Sequence, residues 1–227
     1  MLVLFDVDGT LTATTGCDLK CYAAAFEEVF GLPLPSHDWH DYEHVTDSGV
    51  IWEVVEARRG AAVPAEEFAR FEEVFATALQ AEYEADPLAF TEIPGSAALL
   101  EDLRKKNVRF AFASGGMRRT ALFKLACAGI DGSKVPGAFA NDHLSREGIA
   151  RCAIERAGGN LQDDIVYVGD GLWDVRTSAA VGMRFIGITH ESCRDRLTSA
   201  GASVCLSDYS NPDAFAEALK IARVPGR

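Results

Sequence analysis

The chain has 227 residues, 48% of them hydrophobic and 25% charged, and a formal net charge of −12. That length suits one domain carrying a sizeable insertion, or two small domains, and the composition is that of a folded globular protein, not a disordered one. No run of eighteen apolar residues exists, which excludes a membrane-spanning helix, and the acidic balance argues against nucleic acid or an anionic membrane as a partner.

In chain order, Leu2 to Phe5 is apolar throughout and reads as a strand buried on both faces. Asp6 follows too soon for the apolar core of a signal peptide, so a cytoplasmic protein is expected. Cys17 to Phe30 looks helical and stops at Gly31. Cys17 and Cys21 share one face of it, and both are predicted as small buried residues. Cys127, Cys152, Cys193 and Cys205 are scattered without zinc-like spacing, which fits a reducing compartment. His37, His40 and His44 lead into Val45-Thr46-Asp47-Ser48, expected as a solvent-exposed polar stretch or the lining of a substrate entrance. Asp47 or Ser48 is the predicted N-cap of a second helix, Ser48 to Arg59. A third helix, Ala65 to Ala85, carries Phe68, Phe71, Val74, Phe75, Ala78 and Leu79 as one apolar stripe expected to pack a core.

Pro87 and Pro94-Gly95 mark a change of rhythm. Thereafter helices and strands alternate. Helices are predicted at Gly95–Lys106, Arg118–Ala128, Arg146–Ala157, Trp173–Val181 and Pro212–Ala222, and strands at Val108–Ala113, Ala138–Ala140, Ile165–Val168, Arg184–Ile188 and Ser203–Leu206. This alternation implies an α/β fold, a Rossmann-like, doubly wound parallel sheet that also takes in the opening strand. The helices before residue 88 form an α-helical insertion. The predicted division is a core of residues 1–13 and 89–227 and a cap domain of residues 14–88.

Three polar clusters follow predicted strands, where parallel sheets place their ligand crevice. In Asp6-Val7-Asp8-Gly9-Thr10, two carboxylates two residues apart leave the strand toward one side. Such a pair repels unless a proton or a cation intervenes. Gly169-Asp170-Gly171-Leu172-Trp173-Asp174 adds carboxylates from another strand end, and a carboxylate cluster without histidine suits Mg²⁺ better than zinc. Ala113-Ser114-Gly115-Gly116 offers a hydroxyl and small residues before a helix, where backbone N–H groups can approach an anion. A calcium-binding loop at Asp6 is disfavoured, because Thr10, Leu11 and Cys17 stand where that loop needs ligands or its turn glycine. A carboxylate nucleophile, a bound Mg²⁺ and an anion pocket together describe phosphoryl transfer through a covalent intermediate.

In the order and spacing of these clusters the chain resembles the haloacid dehalogenase superfamily, in the subgroup with a helical cap inserted after the first strand, and phosphoglycolate phosphatase-like enzymes most of all. The resemblance implies a Mg²⁺-dependent phosphomonoester hydrolase acting on a small phosphorylated metabolite, as a monomer or homodimer. It implies that Asp6 attacks phosphorus and that Asp8 protonates the leaving alkoxide and then activates water. Asp6, the Asp8 backbone carbonyl and Asp170 would hold Mg²⁺, with Asp174 ligating or supporting. Ser114 and the Gly115 amide would hold the phosphate. The family's usual lysine, in the loop before the helix that leads to the last cluster, is missing: its slot falls near Leu144, and Arg146 is the predicted substitute, ahead of Arg151 and Lys124. A sugar-phosphate mutase shares these aspartates. A phospho-accepting signalling module shares the acidic pocket, but such modules are about half this length and lack a cap. Dehalogenase chemistry would leave Asp8 and Mg²⁺ without a role, and phosphonate hydrolases lack an acid at the Asp8 position.

Overall fold

A computed structural model describes residues 1–226. Six strands form one parallel sheet: β1 (Leu2–Phe5), β2 (Arg109–Ala113), β3 (Gly137–Ala138), β4 (Ile165–Gly169), β5 (Arg184–Ile188) and β6 (Cys205–Leu206). Their order is β3-β2-β1-β4-β5-β6. β1 therefore lies in the middle, with Phe5 level with Phe112 of β2 and Val168 of β4. It is uniformly apolar because both of its faces are buried. Val3 and Phe5 meet one core with Phe112, Val168 and Phe215, while Leu2 and Leu4 meet a second with Ile149, Ile154 and Phe185. Strand order reverses direction between β1 and β4, and such a switch point opens a crevice at the carboxyl ends of the strands.

Between β1 and β2 the chain leaves the sheet and forms α1 (Thr15–Phe30), α2 (Asp47–Ile51), a π turn (Trp52–Glu56), α3 (Ala57–Arg59) and α4 (Ala65–Ala85). These helices have a core of their own. Phe71, Phe75 and Leu79 of α4 are fully buried against Tyr22 and Phe26 of α1. The Tyr22 ring lies 5.1 Å from Phe71 and 5.5 Å from Phe75, both edge to face. The remaining stripe residues Phe68, Val74 and Ala78 pack at its margin. Cys17 and Cys21 are buried free thiols, and the other four cysteines are also unpaired.

The sheet helices are α5 (Ser96–Lys105), α6 (Arg118–Cys127), α7 (Arg146–Arg156), α8 (Leu172–Val181), α9 (Arg194–Ser199) and α10 (Pro212–Ile221). Four expectations need correction. β6 begins at Cys205, two residues later than predicted, because only Cys205 and Leu206 pair with β5. β3 lies one residue earlier than predicted and is shorter, because only its first residues pair with Phe112 and Ala113. The single helix expected from Ser48 is interrupted by the π turn. Its N-cap is Thr46, whose hydroxyl accepts from the Gly49 N–H; Asp47 and Ser48 lie inside the first turn. The short helix α9 was not predicted. No helix among the described residues is long and apolar enough to cross a membrane.

Candidate active site

Asp6 is the first residue beyond β1, and its N–H is still tied to the Val168 carbonyl of β4 at 3.0 Å. Ser114 follows β2, and its N–H donates to Ala138 at 3.1 Å. Asp170 follows β4. Three neighbouring strand ends thus present their polar clusters to one small, partly enclosed cavity. Asp6, Asp8, Ser114, Gly115, Arg146 and Asp170 all line it. The other wall comes from the insertion, through Thr15, Asp18, Trp39, Val45, Thr46 and Asp47.

Two glycines make the assembly possible. Gly9 turns with φ +75°, and a Cβ there would collide with the Asp170 carboxylate. A Cβ on Gly115 would come within 2.5 Å of the Arg146 guanidinium. Asp174, on the first turn of α8, is fully buried and accepts from the Gly171 N–H at 2.9 Å. One oxygen from each of Asp6, Asp170 and Asp174 lies within 4.8 Å of the others. This donor set is all carboxylate, without histidine or thiolate, and so fits a hard divalent cation such as Mg²⁺.

The electrostatics agree with that fit. Burial pushes the pKa of Asp6 up, partly offset by Arg146 and reinforced by Asp8. Burial and repulsion from Asp174 and Asp6 drive Asp170 well above the usual carboxylate range. Burial, with Asp6 beside it, pushes Asp174 up to about 7. The carboxylates are under-compensated, since a single guanidinium serves them.

Arg146, at the first position of α7, supplies it. Its Nη1 lies 3.2 Å from Asp6 Oδ1 and 3.5 Å from Asp174 Oδ1, and its Nε donates to the Val45 carbonyl at 2.6 Å. Burial would lower its pKa, but Asp6 and Asp174 more than reverse that, and the group stays charged. Arg146 thus meets the aspartates from the side on which the missing lysine was sought. Arg151 is exposed and does not line the cavity.

The Asp8 side chain turns away from the acidic trio. Its Oδ1 accepts from Thr14 Oγ1 at 2.6 Å and its Oδ2 from Lys124 Nζ at 2.6 Å. Lys124, on α6, is fully buried and also donates to Asp18 of α1. Lys124, a low-ranked substitute for the missing lysine, thus pairs with Asp8, and Asp18 carries no signal in the sequence; Asp47, expected as an N-cap or in an exposed or entrance-lining stretch, is buried and lines the cavity. Asp47 is built into the site through its N–H, which donates to the Gly115 carbonyl at 2.8 Å, and its carboxylate, which accepts from the Met117 N–H at 2.8 Å. Thr46 donates to Leu144 and Ser48 to Ala140, at 2.6 and 2.7 Å, so this segment is fastened to the loops after β2 and β3. The three histidines form no metal cluster among the described residues. His40 packs on Trp173 with ring centres 5.2 Å apart, and His44 packs on Trp52.

Comparison with known proteins supports the fold and the family. Among solved structures, a hydrolase from Pseudomonas syringae superposes with a TM-score of 0.71 at 21% identity, covering 97% of this chain and 98% of that one. A β-phosphoglucomutase from Clostridium difficile gives 0.70 at 16% identity, covering 96% of each chain. A predicted phosphoglycolate phosphatase from Haemophilus somnus gives 0.58 at 16%, covering 95% of this chain and 97% of that one. At such identities these likenesses establish the fold. Comparison with curated proteins finds no match. The family model for haloacid dehalogenase-like hydrolases matches residues 1–182, a span that begins at β1 and carries all three strand-end clusters, and the chain belongs to that family.

Proposed function

We propose that the protein hydrolyses a small phosphate monoester through a phosphoaspartate on Asp6, in a Mg²⁺-dependent reaction. The observation that carries this reading is that the Asp6 carboxylate shares one small cavity with the acidic trio on one side and with Ser114 and Gly115 on the other. Residues 14–88 act as the cap over that cavity, in keeping with the six residues they lend its wall. A phospho-accepting signalling module needs no such wall.

In this reading the substrate phosphate sits against the Ser114 hydroxyl, the Gly115 N–H and the Arg146 guanidinium. Asp6, Asp170 and Asp174, with the main-chain carbonyl of Asp8, would hold Mg²⁺. When bound, the ion offsets the charge of the phosphate beside these carboxylates. Asp6 attacks phosphorus, and the bond from phosphorus to the leaving alkoxide breaks as Asp8 gives the alkoxide a proton. Asp8 then takes a proton from water. That water attacks the acyl phosphate, releasing inorganic phosphate and restoring Asp6.

The test separates the two aspartates. Asp6→Asn removes the nucleophile, so no phosphoenzyme forms with any substrate. Asp8→Asn keeps the nucleophile but removes the proton carrier, worth about 10²–10⁴ in rate. A nitrophenolate leaves without an acid, so with p-nitrophenyl phosphate Asp8→Asn is expected to give a rapid-quench burst and then stall. Mass spectrometry of the intact protein should then find one phosphoryl group, on Asp6. Undiminished steady turnover by Asp6→Asn would refute the covalent mechanism.

A further inference from the structure

Lys124 is the one fully buried charged side chain of the described residues whose partners lie on both sides of the cavity without its own atoms lining it. It stands on α6 of the sheet domain. Its ammonium donates to Asp8 on the loop after β1, at 2.6 Å, and to Asp18 in the first turn of α1 in the insertion. The second oxygen of Asp8 is taken by Thr14, whose hydroxyl is in turn 2.6 Å from that of Thr12. Thr12 also lies 3.3 Å from the Val7 carbonyl. Both oxygens of Asp8 are thus held by donors that are themselves anchored.

Such an arrangement is costly unless it is needed. An ammonium taken out of water loses several kcal/mol of hydration, and a buried ion pair often contributes no more than apolar side chains of the same volume. A leucine or methionine on α6 would fill this place at less risk. What Lys124 provides that an apolar residue cannot is direction: it fixes the rotamer of a carboxylate that retains 19% of its side-chain exposure, facing the cavity. Asp18 matters for the same reason. It gives the ammonium an ionic partner whether Asp8 carries a proton or not, so Lys124 need not move as Asp8 exchanges protons with substrate and water.

We propose that Lys124 is a positioning residue for Asp8, holding its carboxylate in one orientation together with Thr14 and tying that orientation, through Asp18, to the docked first helix of the insertion. The inference rests on the proton-carrier role of Asp8 given above. Lys124 donates to neither the phosphate cradle nor the acidic trio, so its loss should impair proton transfer and leave phosphate binding intact.

The experiment uses Lys124→Met, which keeps the volume and removes the charge, and compares an alkyl phosphate with p-nitrophenyl phosphate. Turnover of the alkyl ester should fall about 10- to 100-fold, toward the loss of a general acid, with KM little changed. With p-nitrophenyl phosphate, a nitrophenol burst and a phosphoryl label on Asp6 should appear, as expected for Asp8→Asn. Breaking a buried pair also threatens folding, so the double variant Lys124→Met, Asp18→Asn removes the stranded carboxylate as well. It should regain thermal stability over the single variant without regaining alkyl-ester turnover. A purely structural lysine predicts the opposite: alkyl-ester turnover and the nitrophenol burst lost in parallel, and turnover restored with stability in the double variant. Either of those results overturns the inference, as does a single variant indistinguishable from wild type. Wild-type protein run alongside keeps the two readings apart. Asp8→Asn is included with it: if that variant forms no phosphoenzyme with p-nitrophenyl phosphate, the phosphoaspartate mechanism fails and this inference with it; if it does, a negative result falls on Lys124 alone.

Discussion

Chelation should change the stability of this protein by an amount that its carboxylate trio accounts for. Asp6, Asp170 and Asp174 bring oxygens within 4.8 Å of one another and share one guanidinium. A cation that binds only the folded state stabilises it by about 2.7 kcal/mol when present at about 100 times its Kd. For a chain of this size each kcal/mol moves Tm by roughly 2–4 °C. Mg²⁺ added to chelator-treated protein should therefore raise Tm by roughly 5–10 °C, read by scanning fluorimetry or calorimetry. Asp170→Asn supplies the control. It removes one of the crowded carboxylates while keeping an oxygen for the Thr10 hydroxyl, which lies 3.3 Å from Asp170 Oδ1. The metal-free variant should accordingly be more stable than metal-free wild type, and its response to Mg²⁺ should nearly vanish. Activity should follow the same pattern, lost in chelator and restored by Mg²⁺, with Ca²⁺ a poor substitute because it prefers looser and larger coordination. An undiminished Mg²⁺ shift in Asp170→Asn, or full turnover in excess EDTA, would refute the assignment of this trio as the metal site.

Two other substitutions test the cavity. Arg146→Ala should lower kcat/KM by more than about tenfold in folded protein, and Arg146→Lys should recover only part, because an ammonium cannot reach Asp6, Asp174 and the Val45 carbonyl at once as the planar fork does; a near-wild-type Ala variant would remove Arg146 from the phosphate cradle. Burial, then the nearby Asp18, pushes the Asp47 pKa up to about 8. A raised folded-state value means stability is lost as pH climbs from the ordinary carboxylate value toward 8, at up to about 1.4 kcal/mol per pH unit. Asp47→Asn keeps an acceptor for the Met117 N–H and does not ionise, so its unfolding free energy should decline less than that of wild type between pH 5 and pH 8. An identical decline in denaturant titrations of the two proteins would mean that Asp47 is charged in the fold.

Much of this site could be read from local sequence because the sheet imposes a local rule. A parallel strand is apolar where both its faces are covered, so Leu2–Phe5, Phe110–Ala113 and Ile165–Val168 stand out, and the polar residues that end them mark the crevice. Asp6, Ser114 and Asp170 were legible on that ground, as was the buried stripe of α4, whose 21 residues repeat the helical period several times over. Asp174 and Arg146 owed their assignment to the family's spacing, and the structure brings both against Asp6.

Tertiary structure alone decided the rest. Nothing around Lys124 in the helix Arg118–Cys127 distinguishes it from a solvated lysine, and its burial depends on Asp18, 106 residues away, and Asp8, 116 residues away. Asp47 has the side chain of an N-cap, yet Thr46 caps the helix, because the Asp47 carboxylate is engaged by the Met117 N–H of a loop 70 residues further on. Helical and strand periods record which face of a segment meets a core, a property of neighbours in sequence. Which charge a buried carboxylate or ammonium meets there is fixed only when distant segments close on one another, since a buried ion is tolerated only opposite a partner and that partner can come from any part of the chain.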